Sequence, residues 1–266
     1  MQTYAEATLS KHEGHVIWAA MLNDVKGLRL TTPTLGLSLA KLSVFFILFA
    51  CALWFCWLES SWLGLTAAYI AIALLLAQFA FIGHDAGHGS LSRNTSMNVM
   101  FGQLSMTLIT GLAFEEWIGR HRSHHKYCQD ESRDPDMEVA FVVSLTEASK
   151  RSKSALGRLM TRTQPVHIWL LSFLFGHSQR LMSQASVLRR PHLFWLDATM
   201  LIAHFALWFG VPCGLLGVSV ETALLAYLIP LTILGPYLAA IFWVNHIGMP
   251  VVRDAAALDR GQLRQR

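Results

Sequence analysis

Four long apolar runs divide a chain that is otherwise mixed. The first extends from Leu42 to Leu58, and after Glu59, Ser60 and Ser61 a second extends from Trp62 to Gly83. A third covers Leu193 to Val218 and a fourth Ala223 to Val244. A helix needs roughly 17 to 25 apolar residues to cross the hydrocarbon core of a bilayer, so each run predicts a span, and the short connections predict two helical hairpins. Gly210, Pro212 and Gly214 interrupt the third run, and Pro230 and Pro236 lie inside the fourth. Membrane helices tolerate such breakers when neighbouring elements satisfy the freed carbonyls, so the spans are expected to pack as a bundle. Between the hairpins, Met97 to Ala113 is moderately apolar but broken by Gly102, Gln103, Thr107, Thr110 and Gly111, which predicts a helix at the interface or a shallow re-entrant segment. Pro165 to Phe175, between Arg162 and Arg180, predicts a second interfacial helix. The expected fold is an all-α membrane protein of one domain, 1–266: four transmembrane helices in two hairpins, a cytoplasmic helical region over 84–192 between them, and interfacial helices.

Composition supports the lipid environment. Of 266 residues 53% are hydrophobic and 14% charged, against about 25% charged in a soluble domain. The net charge of +4 does not indicate nucleic acid, because the charges sit in the connections. With the N-terminus inside, Lys11, Lys26, Arg29 and Lys41, the thirteen Lys and Arg of 84–192, and Arg253, Arg260, Arg264 and Arg266 all face the cytoplasm, which accounts for all 21. The two outer turns carry none, as the positive-inside rule requires. A cleaved signal peptide is not expected at the mixed, polar start. Cys51, Cys56, Cys128 and Cys213 have no paired spacing, so no disulfide framework is expected. The basic stretch Lys150, Arg151, Lys153, Arg158 and Arg162 reads as an inside-facing solvated surface, with recruitment of an acidic redox partner or headgroup as the alternative.

Histidines carry the candidate chemistry. Five of twelve fall in two groups, His84-Asp85-Ala86-Gly87-His88 and His121-Arg122-Ser123-His124-His125. On helices, spacings of three and four put each group on one face, so two adjacent helices can aim five imidazoles into one space. Imidazole suits iron, zinc, copper and nickel alike. The zinc peptidase signature requires Glu after the first His, where Asp85 stands. A lone His-x-x-x-His is often a packing or capping pair, but two groups expected at the same membrane face make a metal site the stronger reading. Asn245 and His246 close the fourth run on that face, His246 as a further ligand and Asn245 as its supporting donor. Asp85 is the first choice for a carboxylate that orients an imidazole, followed by Asp134-Pro135-Asp136, with Glu115, Glu116 and Asp130 also in reach. His204, in the third run, is expected to be a helix-packing hydrogen-bond residue. Asp197 is expected to pair locally with Arg189 and Arg190. His12, His15, His167, His177 and His192 are expected at surfaces or interfaces.

The sequence resembles the membrane fatty acid desaturase superfamily. The resemblance rests on Gly83-His84-Asp85-Ala86-Gly87-His88-Gly89-Ser90, His121-Arg122-Ser123-His124-His125, Asp134-Pro135-Asp136 and Asn245-His246-Ile247-Gly248-Met249-Pro250, and it covers nearly the whole chain. It implies a histidine-ligated centre of two non-haem Fe ions, O2 as co-substrate, electrons from ferredoxin or cytochrome b5, and a membrane lipid or acyl chain as substrate. In that family a third His-rich box follows the fourth span. Here the chain ends at Arg266 before such a box, so the expectation is a C-terminally incomplete frame.

The reaction implied is oxygen-dependent introduction of a carbon-carbon double bond. Side-chain acids and bases cannot remove hydrogen from an unactivated methylene, so a redox cofactor must supply that chemistry. A carbon hydroxylase or carotenoid ketolase of the same superfamily is the nearest alternative. A membrane metal transporter or sensor is the alternative from another class. It would want ionisable residues along the spans, and His204 and Asp197 are the only candidates.

Overall fold

The computed structural model describes residues 11–27, 33, 35–137, 143–244 and 251. All regular structure among them is helical. An exposed helix, α1 (Lys11–Gly27), precedes the first hairpin, α2 (Leu35–Leu58) and α3 (Trp62–Gly87). Both hairpin helices extend beyond the apolar runs: α2 gains about two turns at its start, and α3 continues through the polar His84-Asp85-Ala86-Gly87. The turn between them satisfies its own backbone. Glu59 Oε1 accepts from the Ser60 and Ser61 amides at 2.8 and 2.7 Å, and Ser61 Oγ accepts from the Gly64 amide at 3.1 Å, an N-cap for α3.

Asn94 caps α4 (Thr95–Gly102), accepting from the Ser96 and Met97 amides. The helix then passes into a π-helical stretch, Gln103–Thr110, where the Ser105 and Thr110 hydroxyls each donate to a carbonyl of the preceding turn at 2.6 Å. Of the two expected placements, the interfacial one does not hold, and the 110° bend into the next helix fits a re-entrant segment or a broken span. Phe101, Gln103, Ser105, Met106, Thr107 and Ile109 are all buried, and it packs between α3 and α10 (Trp195–Phe205). Its small and polar residues, which weakened it as a span, are what allow close packing and internal hydrogen bonding inside the bundle. At 111–113 the chain turns through 110° into α5 (Phe114–Tyr127).

Short helices α6 (Glu147–Ser152), α7 (Ala155–Arg162) and α8 (Gln164–Ser172) lead to α9 (Phe175–Arg189). The expected interfacial helix corresponds to α8, which leaves Val166, Trp169 and Leu170 exposed. The second hairpin is α10, continuing through a π turn at Ala206–Gly210 into α11 (Val211–Gly214), followed by α12 (Val220–Val244). Among the described residues, four helices are thus long and apolar enough to cross a membrane: Leu35–Leu58, Trp62–Gly87, Trp195–Gly214 and Val220–Trp243. Phe79 of α3 anchors the core, with Phe45, Phe46 and Phe49 of α2 edge-on around it at centroid distances of 6.4, 5.1 and 5.7 Å and Trp208 next to Phe49. The architecture is a multi-pass membrane bundle that presents the C-terminal end of α3 beside α5.

Candidate metal centre

Helix α3 runs just past the apolar core, so that His84 sits in its last turn and His88 at its C-cap, whose amide donates to the His84 carbonyl at 3.1 Å. Helix α5 brings His121, His124 and His125 alongside. The rings of His84 and His121 lie 4.9 Å apart, those of His88 and His121 5.1 Å, those of His88 and His125 4.9 Å, and those of His121 and His125 4.4 Å. His121 Nε2 is 3.1 Å from His88 Nε2 and 3.0 Å from His125 Nε2. One ring nitrogen from each of His84, His88 and His121 falls within a sphere of mutual distances below 4.8 Å, the convergence of lone pairs that a metal ion needs.

Burial favours the neutral form of three of these rings, His121, His88 and His125. It pushes the His121 imidazole down to about 3, helped by its neighbours His125, His84, His88 and His124. His88 and His125 move down for the same reason, burial first and adjacent imidazoles second. A neutral imidazole keeps the lone pair that protonation would remove. Trp117, one turn before His121, stacks on its ring at 4.4 Å and 17° and walls the cluster on that side.

His124 stands slightly apart, 5.5 Å from His125, and its Nδ1 donates to both oxygens of Asp134 at 2.9 and 3.1 Å. Asp134 is itself fixed, accepting from the Gln129 amide at 2.8 Å and the Asp136 amide at 2.9 Å. Its carboxylate has 0% exposure. The contact holds His124 as the Nδ1–H tautomer, the usual support for a ligating histidine. Asp85 differs: it is 58% exposed and 3.5 Å from His84 Nδ1, at the limit of a hydrogen bond. Cys128, with His124 and Asp134, forms a second group able to hold an ion, a residue the sequence reading set aside because it has no cysteine partner. Glu116 pairs with Arg120, and Asp130 closes a turn on Ser132 and Arg133. Asn245 and His246 lie outside the described residues.

The elbow that aims α5 is built from side chains of the second half of the chain. Carbonyls at the end of the π-helical stretch receive four donors. His204 Nδ1 donates to Leu108 at 2.8 Å, Trp208 Nε1 to Ile109 at 3.0 Å, Arg180 Nε to Thr110 at 2.8 Å and Gln184 Nε2 to Gly111 at 2.9 Å. With Nδ1 donating, His204 Nε2 accepts from the Tyr227 hydroxyl at 3.0 Å. His204 is thus a helix-packing residue with both nitrogens engaged. Gly111 turns the corner at φ +74, and a Cβ there would lie 2.6 Å from His204 Nε2. On the other side of the elbow the Ala113 amide donates to Ser183 Oγ, the Phe114 amide to Thr107 Oγ1, and the Glu115 and Glu116 amides to Asp197. Asp197 therefore does not pair with Arg189 and Arg190. It is fully buried, and its charge is met by donors from elsewhere in the bundle. The sequence reading missed Trp117 as well, although its i,i+4 spacing to His121 was available.

A multi-pass bundle that clusters histidines at the end of a span is a membrane protein with a candidate metal-binding site. The sequence model of the family described as "Fatty acid desaturase" matches residues 60–265, and the chain belongs to that family. It is 28% identical over 244 residues to "Fatty acid desaturase 2-like protein FADS2B" of Mus musculus, covering 87% of this chain and 49% of that protein. It is 30% identical over 116 residues to "Delta(8)-fatty-acid desaturase 2" of Arabidopsis thaliana, covering 43% and 25%. It is 35% identical over 98 residues to "Delta 8-(E)-sphingolipid desaturase" of Komagataella phaffii, covering 37% and 17%. The chain thus spans about half or less of the length of these relatives. No solved structure matches it significantly.

Proposed function

We propose that the protein takes part in oxygen-dependent desaturation of a long acyl or sphingoid chain, with His84, His88, His121, His124 and His125 as ligands of a non-haem diiron centre. The observation that carries this reading is the convergence of two histidine groups from α3 and α5 at the end of a span, in a chain of the desaturase family. The donor set fits iron: five imidazoles, with burial favouring the neutral form of His88, His121 and His125 and an ordered carboxylate behind His124. Bound iron would supply the reduction of O2 and the removal of hydrogen from an unactivated methylene, which no side chain here can perform. Electrons would come from a ferredoxin or cytochrome b5 type donor.

The residues themselves orient and exclude. Asp134 fixes the His124 tautomer, Trp117 covers His121, and the buried elbow holds α5 against α3. Because α3 crosses the bilayer and carries His84 and His88 at its end, the centre lies where a lipid tail leaves the apolar core. The absence of Lys and Arg from the two hairpin turns supports placing the histidines, Asn245 and His246 on the cytoplasmic side, with His246 as a further ligand.

The test is expression of the intact protein in a host whose lipids are profiled by mass. A product lighter than its precursor by two hydrogens supports the reading, whereas a product heavier by one oxygen assigns a hydroxylase. Alanine at His84, His88, His121, His124 or His125 should abolish product and lower bound iron, and His192→Ala, at an exposed position, should do neither. Full iron content and activity in His124→Ala would refute the ligand set.

A further inference from the structure

Helix α5 has no cap of its own. Ala113 stands at its N-cap with no side-chain hydrogen bond, although the first amides of any helix need acceptors from outside it. Thr107 Oγ1 takes the Phe114 amide at 3.0 Å, and the acceptor for the next two amides comes from more than eighty positions away. Asp197 Oδ1 accepts from the Glu115 amide at 3.1 Å and Oδ2 from the Glu116 amide at 3.0 Å. Gln103 Nε2 at 2.7 Å and Thr107 Oγ1 at 3.3 Å donate to the same carboxylate. Asp197 also belongs to the first turn of α10, whose N-cap Phe194 likewise lacks a side-chain hydrogen bond. Two helix N-termini thus share one buried carboxylate, and the positive ends of both dipoles favour a negative charge there.

We infer that Asp197 is a positioning residue for the histidine cluster, coupling the third span to the helix that carries His121, His124 and His125. The lever is geometric. At about 1.5 Å per residue, His121 lies about 8 Å and His125 about 14 Å along the axis from Glu116. A tilt of about 10° at the capped end therefore moves the His125 ring by about 2 Å, whereas a metal site tolerates only about 0.2 Å in its ligand distances. Asp197 touches none of the histidines, so its effect must pass through the helix.

The inference rests on the proposed metal site for one of its two readouts only. The intact protein in detergent would be prepared as wild type, Asp197→Asn, Asp197→Ala, and Asp197→Asn combined with Ala113→Ser, which offers a local hydroxyl cap. The metal-free readout is amide exchange across Phe114–Tyr127, and the second is Co(II) titration followed by the absorption spectrum of the bound ion. Both single variants should speed exchange at Glu115 and Glu116 at least tenfold, leave α2, α3 and α12 as in wild type, weaken Co(II) binding roughly tenfold and alter its spectrum. The added serine should restore both properties in part. Wild-type exchange at Glu115 and Glu116 would overturn the inference. Uniform loss of protection through α2, α3 and α12 would also overturn it, because Asp197 would then hold the whole bundle. Failure of the wild type itself to bind Co(II) would sink the metal-site reading, and amide exchange alone would still decide the role of Asp197.

Discussion

At the scale of single residues, two carboxylates beside the histidines, Asp134 and Asp85, differ in environment more than in distance. Asp134 is buried, takes two backbone amides and faces His124 at 2.9 Å, whereas Asp85 is mostly exposed and 3.5 Å from His84. Removing the Asp134 charge leaves two amides and an imidazole N–H with a poorer acceptor in a site without water access. Asp134→Asn should therefore weaken metal binding roughly 10- to 100-fold, while Asp85→Asn should stay within a factor of two or three, both measured by iron or Co(II) titration. Equal losses in the two variants would show that burial does not decide the matter. The histidines themselves were legible from spacing alone. The ranking of their carboxylate partners was not, because proximity in sequence favoured Asp85, and only the folding of 128–137 back onto α5 brings Asp134 under His124.

At the scale of elements, the segment 95–127 shows what patterning conveys and what it cannot. Its interrupted hydrophobicity marked it as no ordinary span, which is correct. It could not show that Gln103, Thr107 and Thr110 face a buried elbow whose partners, Arg180, Ser183, Asp197, His204 and Trp208, lie far along the chain. Such long-range satisfaction of backbone groups leaves no local periodicity. The same bundle is held close elsewhere by absent side chains. A Cβ on Gly235 of α12 would lie 2.3 Å from the Ser172 carbonyl oxygen and 2.9 Å from that of Phe173, and backbone cannot swing aside as a side chain can. Gly235→Ala should destabilise the protein by about 1–3 kcal/mol, the usual range for overpacking. Gly119→Ala, where nothing lies within 4 Å, should be neutral or slightly stabilising in the middle of a helix. Thermal unfolding of both variants in detergent is the check, and a Gly235→Ala protein as stable as wild type would mean that α8 and α12 are not in fixed contact.

At the scale of the whole molecule, the four apolar helices were legible because lipid demands length and composition together, and each was found to within a few turns. Their arrangement also fixes which ends share a side. The turn at 59–61 begins α3, and His84 and His88 end it 26 residues later, about 39 Å along a helix, so turn and histidines lie on opposite faces. The connection 215–219 between α11 and α12 is the corresponding turn of the second hairpin. Neither turn contains Lys or Arg, and the described basic residues between the hairpins lie toward the other face, which under the proposed orientation, following the positive-inside rule, would be cytoplasmic. A cysteine-free background lacking Cys51, Cys56, Cys128 and Cys213 would carry single cysteines at Ser60, Ser219 or Ser96, all exposed positions, with Ser96 in the first turn of α4 on the histidine side. An impermeant thiol reagent applied to intact cells should label the first two and reach Ser96→Cys only after permeabilisation. Labelling of Ser96→Cys from outside, with Ser60→Cys protected, would invert the proposed orientation and put the histidines on the outer face. Labelling of Ser60→Cys and Ser219→Cys from opposite sides would break the two-hairpin arrangement itself.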